Sequence, residues 1–354
     1  MKVALIGVGQ AGGKLAEALA TDERGRRAVT DVLAVNTATV DLQPLGIETL
    51  LVGEARANGH GVGGDNELGA RVMNEDVAEV VEEVDVGPEC DALLVVAGLG
   101  GGTGSGGAPI LARELSQVYD RPVYALGVLP GHDEGALYQR NAGRSLKTLA
   151  READSVLLVD NDAWRSAGES LDEGFTAINE RIADRIGLLL AAGEGVAATE
   201  AESVVDASEI HNTLRGGRLA AVGYASAESS DQADENVTAI TSATRNALLT
   251  GTSLPDATTA AAALLVVAGD PERISRRGVE AARSWLGDET GTMQVRGGDA
   301  PVDSDRLAAL VLLGGVERSD RVQSFLDRAS DAADRDTGED ATESVTSDDL
   351  DGLF

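Results

Sequence analysis

The chain has 354 residues, 43% of them hydrophobic, with 60 acidic against 29 basic side chains and a formal net charge of −31. It is long enough for two domains and a large core, and an acidic excess of this size excludes nucleic acid and anionic lipid as partners. No apolar run is long enough to cross a bilayer and the N-terminus reads as a strand, so a cytoplasmic place without direct membrane insertion is expected. The lone Cys90 rules out an intramolecular disulfide or a cysteine cluster for zinc, and His60, His132 and His211 have no metal-ligand spacing. The acidic residues run along the whole chain, and lysine occurs only as Lys2, Lys14 and Lys147. That pattern suits a high-salt cytoplasm, where the screening length is about 3 Å or less, and it predicts loss of structure in dilute buffer.

Lys2 to Ile6 reads as a short apolar strand that runs into Gly7-Val8-Gly9-Gln10-Ala11-Gly12-Gly13 and a helical stretch, Lys14 to Ala20. The G-x-G-x-x-G inside it is a weak signal and fits a dinucleotide-binding fold equally well. It is not a Walker loop, because Leu15 stands where Ser or Thr should follow Lys14. The strand Val32 to Val35 ends in Asn36-Thr37, where a NAD-binding fold prefers an acid for the ribose hydroxyls. Gly59 to Gly64, with Asp65, forms a second glycine loop ahead of a helix, Glu67 to Glu83.

Ala92 to Ala97 reads as a strand buried on both faces. Gly98, Gly100, Gly101, Gly102, Gly104, Gly106 and Gly107 follow, with Thr103 and Ser105 between them, and a helical pattern begins after Pro109. Strand, glycine loop and helix in that order make an anion site. Glycines let backbone N–H groups approach phosphate oxygens, and the helix start adds free donors and a positive dipole end. Val123 to Leu129 is the next strand, Pro130 to Gly135 a loop, Ala136 to Ala150 a helix, and Ser155 to Val159 a strand ending at Asn161-Asp162. This alternation predicts an α/β fold with a mostly parallel, doubly wound sheet and ligands at the carboxyl ends of its strands.

Leu171 to Ala192 is a long helical pattern, with Phe175, Ile178, Ile182, Ile186 and Leu189 at three- and four-residue spacing. In Val204 to His211, Asp206 and Glu209 share a face on a helical turn, and by itself this is a helix start with acids near its positive end. Strands then read at Leu219 to Ala225, Ala262 to Val267 and Leu307 to Leu313, with another near Thr292 to Val295. Helices read at Ala233 to Leu249 and Arg273 to Leu286, giving a second, α+β domain with a small sheet. From Ser330 the chain is polar and acidic, the composition of a disordered tail, and ends in a small apolar hook of Leu350, Leu353 and Phe354. The expected divisions are 1–170, a nucleotide domain; 171–193, a connecting helix; 194–318, the second domain; and 319–354, a terminal helix and tail.

The run Gly100 to Gly106, GGGTGSG, resembles the signature of the tubulin/FtsZ superfamily of GTPases, and the chain is most similar to its haloarchaeal CetZ group. The resemblance implies a GTPase that binds GTP or GDP with Mg²⁺, polymerises head to tail with copies of itself and helps set cell shape. An FtsZ-like division-ring protein and, from another class, a NAD-dependent dehydrogenase stand as alternatives. By resemblance the nucleotide would touch Gly9, Gln10, Ala11 and Gly12 (the GQAG of tubulins), Lys14 where FtsZ usually has Asn, Asn36, and Gly100, Gly101, Gly102, Thr103, Gly104 and Ser105. Gly63 and Gly64 would sense the γ-phosphate, Glu134 and Arg140 the ribose and phosphate side, and Asn161 the same pocket. Phe175 would stack on guanine and Asn179 read its edge. Glu209 would polarise the attacking water in the site of the next subunit and Asp206 would orient water or a cation there. FtsZ ends in a peptide that docks membrane anchors and regulators, so the resemblance implies a protein partner for this tail, with a frayed end without function as the alternative.

Overall fold

The computed structural model describes residues 1–164, 171–193, 205–316 and 319–336. Strand β1 (Val3–Val8) is buried at every position and passes straight into helix α1 (Gly9–Thr21). A short α2 (Gly25–Ala28) returns the chain to β2 (Val29–Asn36), which lies parallel to β1. The short α3 (Thr39–Leu42), β3 (Glu48–Leu51) and α4 (Glu54–Ala57) complete that edge, with β3 parallel to β2. Then α5 (Asn66–Glu83), β4 (Ala92–Gly98), α6 (Gly102–Val118), β5 (Val123–Leu129), α7 (Ala136–Glu152), β6 (Ser155–Asp160) and the short α8 (Asn161–Trp164) continue the strand–helix alternation. The long α9 (Leu171–Ala192) follows at the predicted bounds.

The second half contains α10 (Ala207–Leu214), β7 (Leu219–Glu228), α11 (Ala233–Leu249), β8 (Ala260–Gly269), α12 (Arg276–Thr290), β9 (Val295–Pro301), β10 (Arg306–Val316) and α13 (Asp320–Asp336). β10 is antiparallel to both β7 and β8, and β9 is parallel to β8. The second sheet is not separate. All strands form one ten-stranded sheet in the order β3-β2-β1-β4-β5-β6-β7-β10-β8-β9. β6 and β7 pair in parallel at Val156↔Leu219 and Leu157↔Ala220. Beyond those rungs Ser253, fully buried, fills the gap. Its hydroxyl donates to the Leu158 carbonyl and accepts from the Val222 amide, while its carbonyl accepts from the Asp160 amide.

Successive strand residues face opposite sides of this sheet. Ile6, Leu33, Leu93 and Val95 lie in one apolar layer with Leu111 and Leu115 of α6, and Leu5, Leu94 and Val96 lie in the other with Leu15 and with Ile178, Ile182 and Ile186 of α9. Burial on both faces explains why these strands read as continuous apolar runs rather than alternating ones.

Two further expectations need correction. Helix α6 begins at Gly102, inside the glycine run, and continues through Pro109 instead of starting after it. Glycine is a poor helix former, but here close packing requires it: a Cβ at Gly106 would lie 2.2 Å from the Asn66 carbonyl oxygen, and one at Gly69 would lie 2.3 Å from that of Gly102. The backbones of α5 and α6 therefore touch. At the other end, α13 runs to Asp336, past the predicted start of disorder at Ser330, and buries Val322, Phe325, Leu326 and Ala329 on one stripe. The hook of Leu350, Leu353 and Phe354 lies outside the described residues, as does Val204. No helix among the described residues is long and apolar enough to cross a membrane.

Candidate functional site

The carboxyl ends of β1, β2, β4, β5 and β6 border a cavity of about 780 Å³. Three glycine-rich segments wall it: Gly9–Ala11 at the start of α1, Gly61–Gly64 before α5, and Gly100–Gly104 at the start of α6. Among the described residues, α1 and α6 both begin without a side-chain cap and without an acid in the first turn. Their first amides are thus unsatisfied donors at the positive ends of two helices, the arrangement that binds phosphate.

The glycines are required by geometry. Gly9 has φ +75°, and a Cβ there would lie 2.8 Å from the Gly104 nitrogen, so the first and third segments touch. A Cβ on Gly102 would lie 2.6 Å from Val62 Cγ2, which joins the third to the second. At Gly101 and Gly63, by contrast, a Cβ would meet nothing within 4 Å. Backbone there borders open space of the kind a ligand fills.

Side chains lock the walls. Asn141 of α7, buried, donates from Nδ2 to the Gly64 carbonyl (2.8 Å) and the Gly100 carbonyl (3.1 Å), tying the second segment to the third. The Thr37 and Thr103 hydroxyls share a hydrogen bond of 2.7 Å. Asp41 accepts from Gln10 Nε2 (2.9 Å) and Asn36 Nδ2 (3.2 Å). A carboxylate only accepts, so it fixes which way both amides point. Nothing in the sequence pattern marks Asp41. The one available signal for Asn141 is a polar residue on the buried stripe of a helix.

Of the expected contact residues, Gly9, Gln10, Ala11, Lys14, Asn36, Gly63, Gly64, Gly100, Gly101, Gly102, Thr103, Gly104, Glu134, Asn161 and Asn179 line the cavity. Gly12, Ser105 and Arg140 are not among the described residues that do. A Cβ on Gly12 would lie 2.3 Å from the Val96 carbonyl oxygen, so this glycine lets α1 lie flat on β4. The Ser105 hydroxyl donates to the Gly101 carbonyl and accepts from Asn66 Nδ2 at 2.8 Å, which makes it a clamp on the loop. Arg140 borders an adjoining groove of about 330 Å³ with Gly63, Gly64 and Glu67. Tyr138, between Glu134 and Arg140 in the chain, lines the cavity wall. The Phe175 side chain lies outside the described residues, and Thr176 beside it lines the wall. The rim carries two exposed apolar side chains, Val40 at 71% and Tyr138 at 43% exposure.

Asp206 and Glu209 are likewise not among the described residues that line the cavity. Asp206 caps α10, accepting from the Ser208 hydroxyl (2.6 Å) and the Glu209 amide (3.1 Å), and the Ser208 bond leads in holding its carboxyl below the usual range. Glu209 is half-buried, and that burial, reinforced by the nearby Asp206 charge, raises its carboxyl above the usual range. Two residues further on, His211 bonds to Tyr124 at the beginning of β5, whereas Val128 near the end of β5 lines the cavity. At about 3.3 Å per strand residue, the acids and the glycine cradle stand at opposite ends of the sheet.

Residues 2–168 match the family model described as the tubulin/FtsZ family GTPase domain, and residues 168–331 match that of the tubulin-like CetZ C-terminal domain. The chain is 64% identical to tubulin-like protein CetZ2 of Haloferax volcanii, over 100% of both chains. Among solved structures, it is similar to CetZ2 from Haloferax volcanii as a GTPγS-bound protofilament, with a TM-score of 0.91 and 64% identity over 95% of this chain and 99% of that one. It is also similar to CetZ1 from Haloferax volcanii as a GDP-bound monomer, with a TM-score of 0.85 and 45% identity over 94% and 100% of the two chains.

Proposed function

The chain belongs to the CetZ group of the tubulin/FtsZ family of GTPases, and we propose that it binds GTP in the glycine-walled cavity, assembles head to tail, and hydrolyses GTP where α10 of one copy meets the cavity of the next. One observation carries this reading: the amide cradle and the Asp206–Glu209 pair lie at opposite ends of one sheet, so neither end is a complete site. Stacking copies in series would join the two halves. The exposed Val40 and Tyr138 at the cavity rim suit burial by the next copy. The protofilament of a relative 64% identical supports the same arrangement.

In this reading the first turns of α1 and α6 bind the phosphates through backbone amides, and Asn179 with Thr176 face the base side. Asp41 and Glu134 are acidic side chains on the cavity wall. Asp41 accepts from Gln10 and Asn36 and Glu134 from the Gly131 amide, so Mg²⁺ would be held chiefly by the GTP phosphates and water and would neutralise phosphate charge there. The neighbour's Glu209 takes up a proton from the attacking water as the bond to the γ-phosphate forms, with GDP and phosphate as products. The burial that raises its carboxyl makes it a better proton acceptor than an exposed glutamate. Asp206, held low by its cap bonds, stays charged and orients that water. The family match sets aside a NAD-dependent dehydrogenase. We assign the filament to the cytoplasm and to control of cell shape, which a fluorescent fusion tests: dispersed patches along the envelope support it and a single midcell ring refutes it.

GTP turnover per subunit should rise cooperatively with protein concentration. Glu209→Ala should keep GTP binding and lose about 100-fold or more in turnover, the usual scale for removing a general base. Turnover per subunit that does not depend on concentration, or wild-type turnover in Glu209→Ala, overturns the shared site.

A further inference from the structure

Strand β5 sits inside the parallel half of the sheet, between β4 and β6. Its far end delivers Val128, and then Pro130, to the nucleotide cavity. Its near end carries Tyr124, 3% exposed. There the Tyr124 hydroxyl and His211 Nδ1 are 2.8 Å apart, and the two rings stack with centroids 5.8 Å apart and planes at 30°. His211 belongs to α10, just past Glu209.

Helix α10 is seated on the second half of the molecule by close backbone packing. A Cβ on Gly314 of β10 would lie 1.8 Å from the Thr213 carbonyl oxygen, so helix and strand are in direct contact. The Tyr124–His211 bond ties that same helix to the nucleotide half, and to the strand whose other end walls the cavity. We propose that this pair sets the position from which α10 presents Glu209 to the next copy, which makes Tyr124 and His211 positioning residues for hydrolysis. The proposal rests on the shared-site reading of Glu209 given above.

The chemistry of the pair suits a directional tie. Burial raises the Tyr124 phenol, so it keeps its proton throughout the neutral range. Burial lowers His211, which also faces the Asp91 carboxylate, Arg215, the amino terminus and Asp206. On a neutral imidazole with Nδ1 unprotonated, the phenol donates to Nδ1. On an imidazolium both ring nitrogens donate, and the phenol must turn to accept. Acid therefore reverses the bond, with the phenol oxygen accepting from Nδ1–H.

The test compares full-length wild type with Tyr124→Phe, His211→Leu, His211→Asn and Glu209→Ala. GTP affinity is measured on unassembled protein, and turnover per subunit at saturating protein and GTP. The asparagine amide stands close to where Nδ1 stands and can keep the bond. Tyr124→Phe and His211→Leu should bind GTP within about two-fold of wild type and lose about 10- to 100-fold in turnover, the scale of a slightly misplaced catalytic group. His211→Asn should recover most of the turnover at neutral pH, where Glu209 is equally available in every variant that keeps it. Wild-type turnover in Tyr124→Phe, with Glu209→Ala inactive, overturns the positioning role and leaves the shared site standing. Equal losses in His211→Asn and His211→Leu overturn it as well. Wild-type turnover in Glu209→Ala overturns the shared site itself. If His211→Leu fails to fold, Tyr124→Phe decides, because it keeps the ring and its packing.

Discussion

Burial of Glu209 on α10 raises its carboxyl, and the Asp206 charge adds to the effect. A carboxyl raised by folding contributes stability below its unfolded value and loses it as pH rises through the folded value. The ionised Glu209 of an isolated subunit is therefore a small cost at neutral pH. Glu209→Gln should leave the melting temperature at neutral pH unchanged or higher while turnover is lost, as thermal unfolding of unassembled protein would measure; a clearly lower melting temperature contradicts the assignment. Asn141 acts in the opposite sense. It holds two loop carbonyls together from inside the fold, and breaking such bonds costs about 1–3 kcal/mol. Asn141→Ala should weaken GTP binding by about ten-fold, on the scale of 1.4 kcal/mol per decade, in a titration with a fluorescent guanine nucleotide; wild-type affinity would refute this.

Helix α13 is fastened to the end of β6 by Arg321, which bonds to the buried Asp160 and to Asp162. Burial by itself would raise Asp162, but the His132 amide and ring and the Arg321 guanidinium outweigh it and hold the carboxyl low. That contribution is present above the usual carboxylate range and is lost as pH falls through the folded value. Arg321→Ala leaves Asp160 buried without its cation and should cost about 3 kcal/mol in urea unfolding at neutral pH. The deficit relative to wild type should shrink below about pH 4; an equal deficit at both pH values would show that the ion pair is not its source. Elements differ in how plainly the sequence announces them. α9 and α11 fall at their predicted bounds because their apolar stripes are local and periodic. β3 is four residues long, lies at the sheet edge and exposes Glu48 and Thr49, so it carries no apolar run. The start of α6 is hidden because backbone contact with α5 overrides the helix-breaking tendency of glycine. The glycine cradle was legible as a motif. Asp41 and Asn141 were not, because their partners lie up to 31 and 77 residues away.

Across the whole molecule, the net charge of −31 is spread over a fold whose cavity is walled by glycine-rich backbone rather than by a cluster of cations. Lys14 is the one lysine or arginine among the described residues that line it, beside His60. Self-repulsion should therefore limit stability when salt is low. Far-UV circular dichroism should show loss of helix as salt is dialysed away and recovery on its return; an unchanged spectrum in dilute buffer would remove this expectation.

The splice at Ser253 has a mechanical corollary. Where β6 and β7 part, Ser253 stands in for the missing rungs with its hydroxyl and its backbone. A beam flexes at its thinnest cross-section, and in a rod built from these molecules that section would recur once per repeat. Compliance would then be tunable by exchanging one small side chain, with neither the phosphate cradle nor the acid-bearing helix altered.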